Sequence, residues 1–115
     1  MKRGDIWTLA GGPDYLGKPR PAVILQDESF ADTASVTVCC FTSRQEDAPL
    51  FRLLILPDNG NGLHAPSRLM IDKIATVPKA KIGTRIGRLS DVDILRLNQS
   101  TLVFLGLAGS PKQGR

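Results

Sequence analysis

Arg20 is held between two prolines, in the run Lys18-Pro19-Arg20-Pro21. A proline fixes its own φ and restricts the residue before it, so the backbone carrying this guanidinium is stiff on both sides. The guanidinium presents a fork of N–H donors that matches the paired oxygens of a phosphate. Thr42 ends the run Val36-Thr37-Val38-Cys39-Cys40-Phe41-Thr42, where its hydroxyl is free to donate. Asp72 could orient Arg20 or take a proton; equally, it could pair with Lys73 or cap a turn. His64 is the single histidine, a residue type suited to acid–base work, but it follows the turn Gly60-Asn61-Gly62, where an exposed imidazole is commonplace. A preorganised cation, a hydroxyl and a carboxylate are the parts needed to work on a phosphate ester. By residue type alone, however, Arg20 reads first as a surface arginine and Thr42 as an ordinary strand threonine.

The elements that position these residues are short. Ile6 to Leu9 reads as a first strand. Gly11 to Pro21 holds three glycines and three prolines and forms a long loop, a common place for function on a small rigid scaffold. Ala22 to Leu25 is apolar throughout, as in a strand buried on both faces. Val36 to Thr42 is the best strand, rich in β-branched residues. Leu50 to Leu56, Ser67 to Ile74 (continued by Ala75 to Val77) and Arg85 to Leu89 are further strands, and Lys79 to Ile82 is a single helical turn. Asp58-Asn59-Gly60-Asn61-Gly62 is a turn, since Asn and Gly tolerate positive φ. Ser90 is an N-cap, with Asp91 and Asp93 at the positive end of the helix dipole. The helix it opens is apolar nearly all round in its last turn, which predicts burial on more than one side, and Gly106 or Gly109 ends it. Five to seven short strands followed by one helix predict a mainly β (α+β) fold, a small barrel whose closure hides its strand edges. Residues 1–109 form a single domain and 110–115 a flexible tail.

Composition narrows the function classes. The chain of 115 residues is 42% hydrophobic and 23% charged, ordinary for one globular domain. It has no apolar stretch long enough to span a membrane and no signal-peptide core after Met1, so a cytoplasmic protein is expected. Cys39 and Cys40 are adjacent, which rules out an unstrained disulfide between them and any paired-cysteine zinc spacing; both read as small apolar residues. The net charge of +4 is uneven: Met1 to Pro57 carries −1 and Asp58 to Arg115 carries +5. Arg68, Lys73, Lys79, Lys81, Arg85 and Arg88 fall in one stretch opposed only by Asp72. Such a face suits a polyanion, or it is simply a solvated surface.

Five motifs, in order, resemble one family. Arg3-Gly4-Asp5-Ile6-Trp7 is followed by Arg20-Pro21-Ala22-Val23, then Phe41-Thr42-Ser43, then Pro66-Ser67 with Ile71-Asp72-Lys73-Ile74, then Ile86-Gly87-Arg88-Leu89-Ser90. Together they resemble the MazF/PemK/Kid toxins over roughly residues 3 to 105. Each motif is weak alone, and their order and spacing make the signal specific. One departure is plain. Many relatives follow the aspartate with Q-I-R-T, whereas here the run is Lys73-Ile74-Ala75-Thr76 and the arginine is absent.

The resemblance implies an SH3-like barrel, a homodimer, and cleavage of single-stranded RNA without a metal or other cofactor. It implies that Arg20 and Thr42 act at the scissile phosphate, with Asp72 at the family's strand-end aspartate position. Cleavage through the RNA's own 2′-hydroxyl needs a base, an acid and a cation. Arginine is a poor base, because it keeps its proton far above neutral pH. RNA contacts are expected from Asp14, Tyr15 and Lys18 in the first loop, and from Ser43 and Lys73. Tyr15 could stack on an unpaired base or serve as a lid over the barrel. The implied partner is an antitoxin of the MazE/PemI kind, whose disordered acidic segment would block the basic groove. Two rivals use the same barrel. One is a gyrase poison of the CcdB type, which the tail Ser110-Pro111-Lys112-Gln113-Gly114-Arg115 disfavours because it has no aromatic residue. The other is a non-catalytic barrel that binds peptide or nucleic acid.

Overall fold

The computed structural model describes residues 1–11 and 18–108. Seven strands and one helix follow in chain order: β1 (Asp5–Leu9), β2 (Arg20–Ile24), β3 (Ser35–Thr42), β4 (Arg52–Ile55), β5 (Ser67–Met70), β6 (Ala75–Pro78), β7 (Ile82–Arg88) and α1 (Asp91–Phe104). Short 3-10 turns at Glu28–Phe30, Ile71–Lys73 and Lys79–Lys81 link them. The strands pair antiparallel in the order β4-β5-β3-β2-β1-β7, with β6 also on β3.

The alternation of side chains along each strand splits the apolar residues between two faces. Under α1, Ile6, Val23, Cys39, Phe41 and Leu69 pack with the helix's own Leu97, all buried. On the other face Ala22, Ile24, Val36 and Val38 pack beneath Trp7, Leu9, Val77 and Ile82. This is why Ala22-Val23-Ile24 is apolar without a break: β2 is covered on both sides. Each fully buried Val, Leu or Ile contributes about 1.5–3 kcal/mol, so both layers matter in a chain this small.

The sheet is strongly bent and barrel-like, but it does not close as expected. Among the described residues β4 and β7 remain its two ends. The β4 edge is instead covered by the helix, and Arg96 on α1 donates through Nη1 to the Leu54 carbonyl at 3.0 Å. A covered edge serves the same end as closure, because unpaired strand groups invite aggregation.

The predicted strand from Ser67 to Ile74 is broken, and the break matters for the site. Thr42 pairs with Arg68, whereas Val38 pairs with Ala75. Four steps along β3 thus face seven along its partner. The three extra residues are the turn Ile71–Lys73. The chain from β5 to β6 therefore follows a single neighbour, β3, and bulges out once, carrying Asp72 clear of the ladder.

At the start of α1 the Ser90 hydroxyl accepts from the Asp93 N–H at 3.1 Å, the expected N-cap. The helix ends on Leu105, and Gly106 takes the left-handed conformation (φ +73°) that a side chain would strain. The expectation that the last turn is buried all round is corrected. Leu102, Val103, Phe104, Leu105 and Leu107 are exposed, and Leu97 is the helix's one buried residue. Among the described residues only Phe51 reaches a ring of this helix end, Phe104, at 6.1 Å between centroids. Among the described residues no helix is long and apolar enough to cross a membrane.

Candidate active site

Arg20 and Thr42 lie at the same end of one hairpin. β2 and β3 pair with Ala22 opposite Cys40. Two residues beyond that pair, Arg20 begins β2 and Thr42 ends β3. Side chains two steps apart along a strand project from the same face, so Arg20 shares the face of Ala22 and Thr42 that of Cys40. Leu9 faces Arg20, and Thr42 faces Arg68. These two facing pairs make up a row at the rim, beyond the apolar layer of Ala22 and Val38. There Arg20, Thr42 and Arg68 are all half-buried.

The Thr42 hydroxyl is oriented by its own chain. Its Oγ1 accepts from the Arg44 N–H at 3.2 Å, an exposed contact that occupies an acceptor position and leaves the O–H to donate. Ser43 follows it and is exposed.

Asp72 is held by a residue the sequence reading did not single out. Arg52, at the start of β4, donates from Nε to Oδ1 of Asp72 at 2.7 Å and from Nη2 to Oδ2 at 2.9 Å. Its third contact runs from Nη1 to Glu46 at 2.8 Å, in the loop after β3. The guanidinium is only 8% exposed. The hydrogen bonds from Arg52 hold the Asp72 carboxyl below the usual carboxylate range, against the opposing effect of burial. Neither sequence alternative for the partner of Asp72, Arg20 or Lys73, anticipated this fork. The signal was present in Phe51-Arg52-Leu53-Leu54-Ile55, because a lone charge inside an apolar strand must find a buried partner. Arg52 and Leu54 share a face, and Leu54 faces Arg68, so the ion-paired cluster lies on the same side of the sheet as the row.

Arg68 and Arg52 open onto a cavity of about 490 Å³, lined also by Gln45, Asp47, Leu54 and Arg96. Lys18 is exposed at the neck of the first loop. There its carbonyl lies so close to Gly11 that a Cβ at that glycine would meet it at 2.0 Å. Asp14 and Tyr15 lie outside the described residues. Lys73 is exposed beside Asp72, and His64 is exposed in the loop before β5.

The cysteines read as expected. Cys39 is buried, and burial pushes its thiol up to about 12. Cys40 is half-buried and also raised by burial. A thiol so protonated is a poor nucleophile. Among the described residues no three His, Cys, Asp or Glu side chains gather as metal ligands.

The chain as a whole is similar to known proteins. The sequence profile of the family described as PemK-like, MazF-like toxin of type II toxin-antitoxin system matches residues 2–105. A "Probable endoribonuclease MazF" of Mycolicibacterium smegmatis is 51% identical over 109 residues, which is 95% of this chain and all of the relative. Among solved structures, the Mycobacterium tuberculosis toxin MazF-mt6 superposes with a TM-score of 0.76 at 25% identity, covering 91% of this chain and 99% of that one. A MazE–MazF complex from Deinococcus radiodurans gives 0.76 at 19% identity over 94% and 98%, a likeness of fold. With nearly the whole chain matched by the profile and by a relative sharing half its residues, the protein belongs to the PemK-like, MazF-like toxins of type II toxin–antitoxin systems.

Proposed function

We propose that this chain is a sequence-specific endoribonuclease that cleaves single-stranded RNA without a metal and acts in the cytoplasm as one toxin domain of a homodimer. The observation that carries the reading is that Arg20 opens β2 and Thr42 closes β3 at the same end of the hairpin, two residues beyond the facing pair Ala22 and Cys40. The relative named as a probable endoribonuclease supports the same activity.

In the reaction, the 2′-oxygen bonds to phosphorus as the bond to the 5′-oxygen breaks. The 2′-hydroxyl gives up its proton and the leaving oxygen gains one. The products are a 2′,3′-cyclic phosphate, or the 3′-phosphate that follows, and a 5′-hydroxyl. DNA is not cut, because it lacks the internal nucleophile. Arg20 neutralises the crowded phosphate with its fork, and Thr42 donates its O–H to a non-bridging oxygen. Such a fixed donor is typically worth about 3 kcal/mol of barrier. Asp72 acts through Arg52: its depressed pKa makes it a weak proton acceptor, so its role is to fix that guanidinium at the edge of the site. Asp14, Tyr15, Lys18, Ser43 and Lys73 contact the RNA on either side.

The partner is an antitoxin, as in the MazE–MazF assembly from Deinococcus radiodurans. An acidic segment complements a chain whose sequence pI is about 9.4. The second copy covers the exposed apolar end of α1.

The test is digestion of a long RNA by purified protein in EDTA, comparing wild type with Arg20→Ala and Thr42→Ala. Wild type is expected to cut and both variants to lose most activity, with cyclic phosphate at the new ends. An uncut RNA, or normal cutting by both variants, overturns the reading.

A further inference from the structure

Arg68 stands out by what it lacks. Of the arginines around it, Arg52 is bound to Asp72 and Glu46, Arg85 and Arg88 to Asp5, and Arg96 to Asp93 and the Leu54 carbonyl. The Arg68 side chain makes no hydrogen bond or ion pair among the described residues. It is nevertheless half-buried in the middle of the sheet, on β5, with Thr42 on one side and Leu54 on the other. Of the nearby carboxylates, Glu46 and Asp72 are committed to Arg52 and Asp93 to Arg96, while Asp47, exposed in the cavity lining, forms no ion pair with Arg68. A half-buried cation with no internal partner is costly unless an anion arrives from outside.

The cavity supplies the place. It takes in Arg68 and Arg96 and is floored by the buried Arg52. It begins one strand beyond Thr42, which Arg68 faces, and Arg20 opens β2 on the other side of β3, so the two arginines belong to the strands on either side of the hydroxyl. Two long guanidinium arms so placed reach successive phosphates of one strand rather than competing for the same one.

We propose that Arg68 is a second phosphate-binding cation of the RNA site, gripping the phosphate next to the scissile one and leading the strand into the cavity before Arg96. This rests on the ribonuclease reading above. Arg68 is then a positioning residue: it holds substrate in register for Arg20 and Thr42, and its loss weakens binding more than chemistry.

The test compares wild type, Arg68→Gln, which keeps most of the stem, and Arg68→Lys, which keeps the charge. Binding is measured with a short randomised single-stranded RNA carrying 2′-O-methyl groups, which cannot be cut, over a range of salt. Cleavage is measured on a long natural RNA. The Gln variant should bind at least about tenfold more weakly, with KM raised and kcat little changed. Its slope of log affinity against log salt should be shallower by about 0.7, one phosphate contact on a single strand. The Lys variant should recover the slope. An unchanged slope and KM in a folded Gln variant overturn the proposal. So does a loss confined to binding of an acidic antitoxin peptide, which would make Arg68 a protein contact. If wild type binds the methylated RNA but cuts nothing, the cleavage reading fails while the slope still judges Arg68. If wild type binds no RNA, both fall.

Discussion

Asp72 receives one edge of the Arg52 guanidinium in parallel, Nε at 2.7 Å and Nη2 at 2.9 Å. The two residues are twenty apart in sequence, and they meet because three extra residues in the β5–β6 line push Asp72 out of the ladder. Replacing Asp72 by Asn removes the charge and leaves Arg52 buried with Glu46 alone. The expected cost is about 2 kcal/mol near neutral pH, below the usual range for a broken buried pair because Asp72 is itself partly exposed. The pH dependence has a definite sign. The folded pKa of Asp72 is depressed, so its stabilisation is full above the unfolded value of roughly 3.9 and is lost as pH falls through the folded value. Urea midpoints of wild type and Asp72→Asn should therefore differ at pH 7 and converge below about pH 4. A gap that persists in acid would mean that packing, rather than charge, links the two residues.

Thr42 offers a cleaner probe of chemistry than of fold. Its methyl group belongs to the strand and its hydroxyl to the phosphate. Thr42→Val keeps the shape, so melting should shift little, while kcat should fall about 100-fold, the usual effect of losing one fixed donor. Thr42→Ser keeps the donor and should retain most of the rate. Full activity in the Val variant would show that the hydroxyl does not touch the reacting phosphate.

What the sequence could and could not disclose divides along chain separation. Strand content showed in β-branched runs such as Val36 to Thr42, and the helix start showed in Ser90, because both depend on neighbours within a few residues. Arg20 drew notice through its flanking prolines, again a local signal. The pairing of β2 with β3 that sets Arg20 and Thr42 at one end of the hairpin depends on the register across a long connection. That of Asp72 with Arg52 depends on an offset between two strands, and neither leaves a local trace. The open sheet was likewise hidden, since whether an edge closes or is covered by Arg96 and α1 is decided by packing. Burial at the end of α1 was misread because an apolar surface looks the same in sequence whether its own chain or a second copy covers it.

Cys39 and Cys40 should prove inert. Cys39 lies in the core with its thiol pushed up to about 12, and Cys40 is raised by burial too. At pH 8 iodoacetamide should modify neither residue appreciably in native protein, while both react in urea, and RNA cleavage should survive the treatment. Rapid loss of activity in step with alkylation would place a thiol in the chemistry and unseat the assignment to Arg20 and Thr42.

The outer face of α1 supplies the last test. Val92, Leu95, Leu102 and Val103 recur at helical spacing and are 67%, 61%, 42% and 54% exposed. Phe104, beside them, packs at a tilt against Phe51 at 6.1 Å between ring centroids, which ties the helix end to the chain just before β4. Contiguous apolar surface of this kind on a small domain marks a protein contact. A second copy of the same chain is the occupant that needs no further component, since a two-fold axis beside the helix sets the stripe against itself. Leu95→Lys would then place two like charges near each other at that axis and desolvate both. Equilibrium sedimentation should give a dimer for wild type and a monomer for Leu95→Lys at the same micromolar concentration. The inner stripe that holds α1 to the sheet, Ile94 and Leu97, is untouched, so the circular dichroism of the variant should remain native. A Leu95→Lys protein that stays dimeric would move the interface to another surface, with the edge of β7 the next to examine.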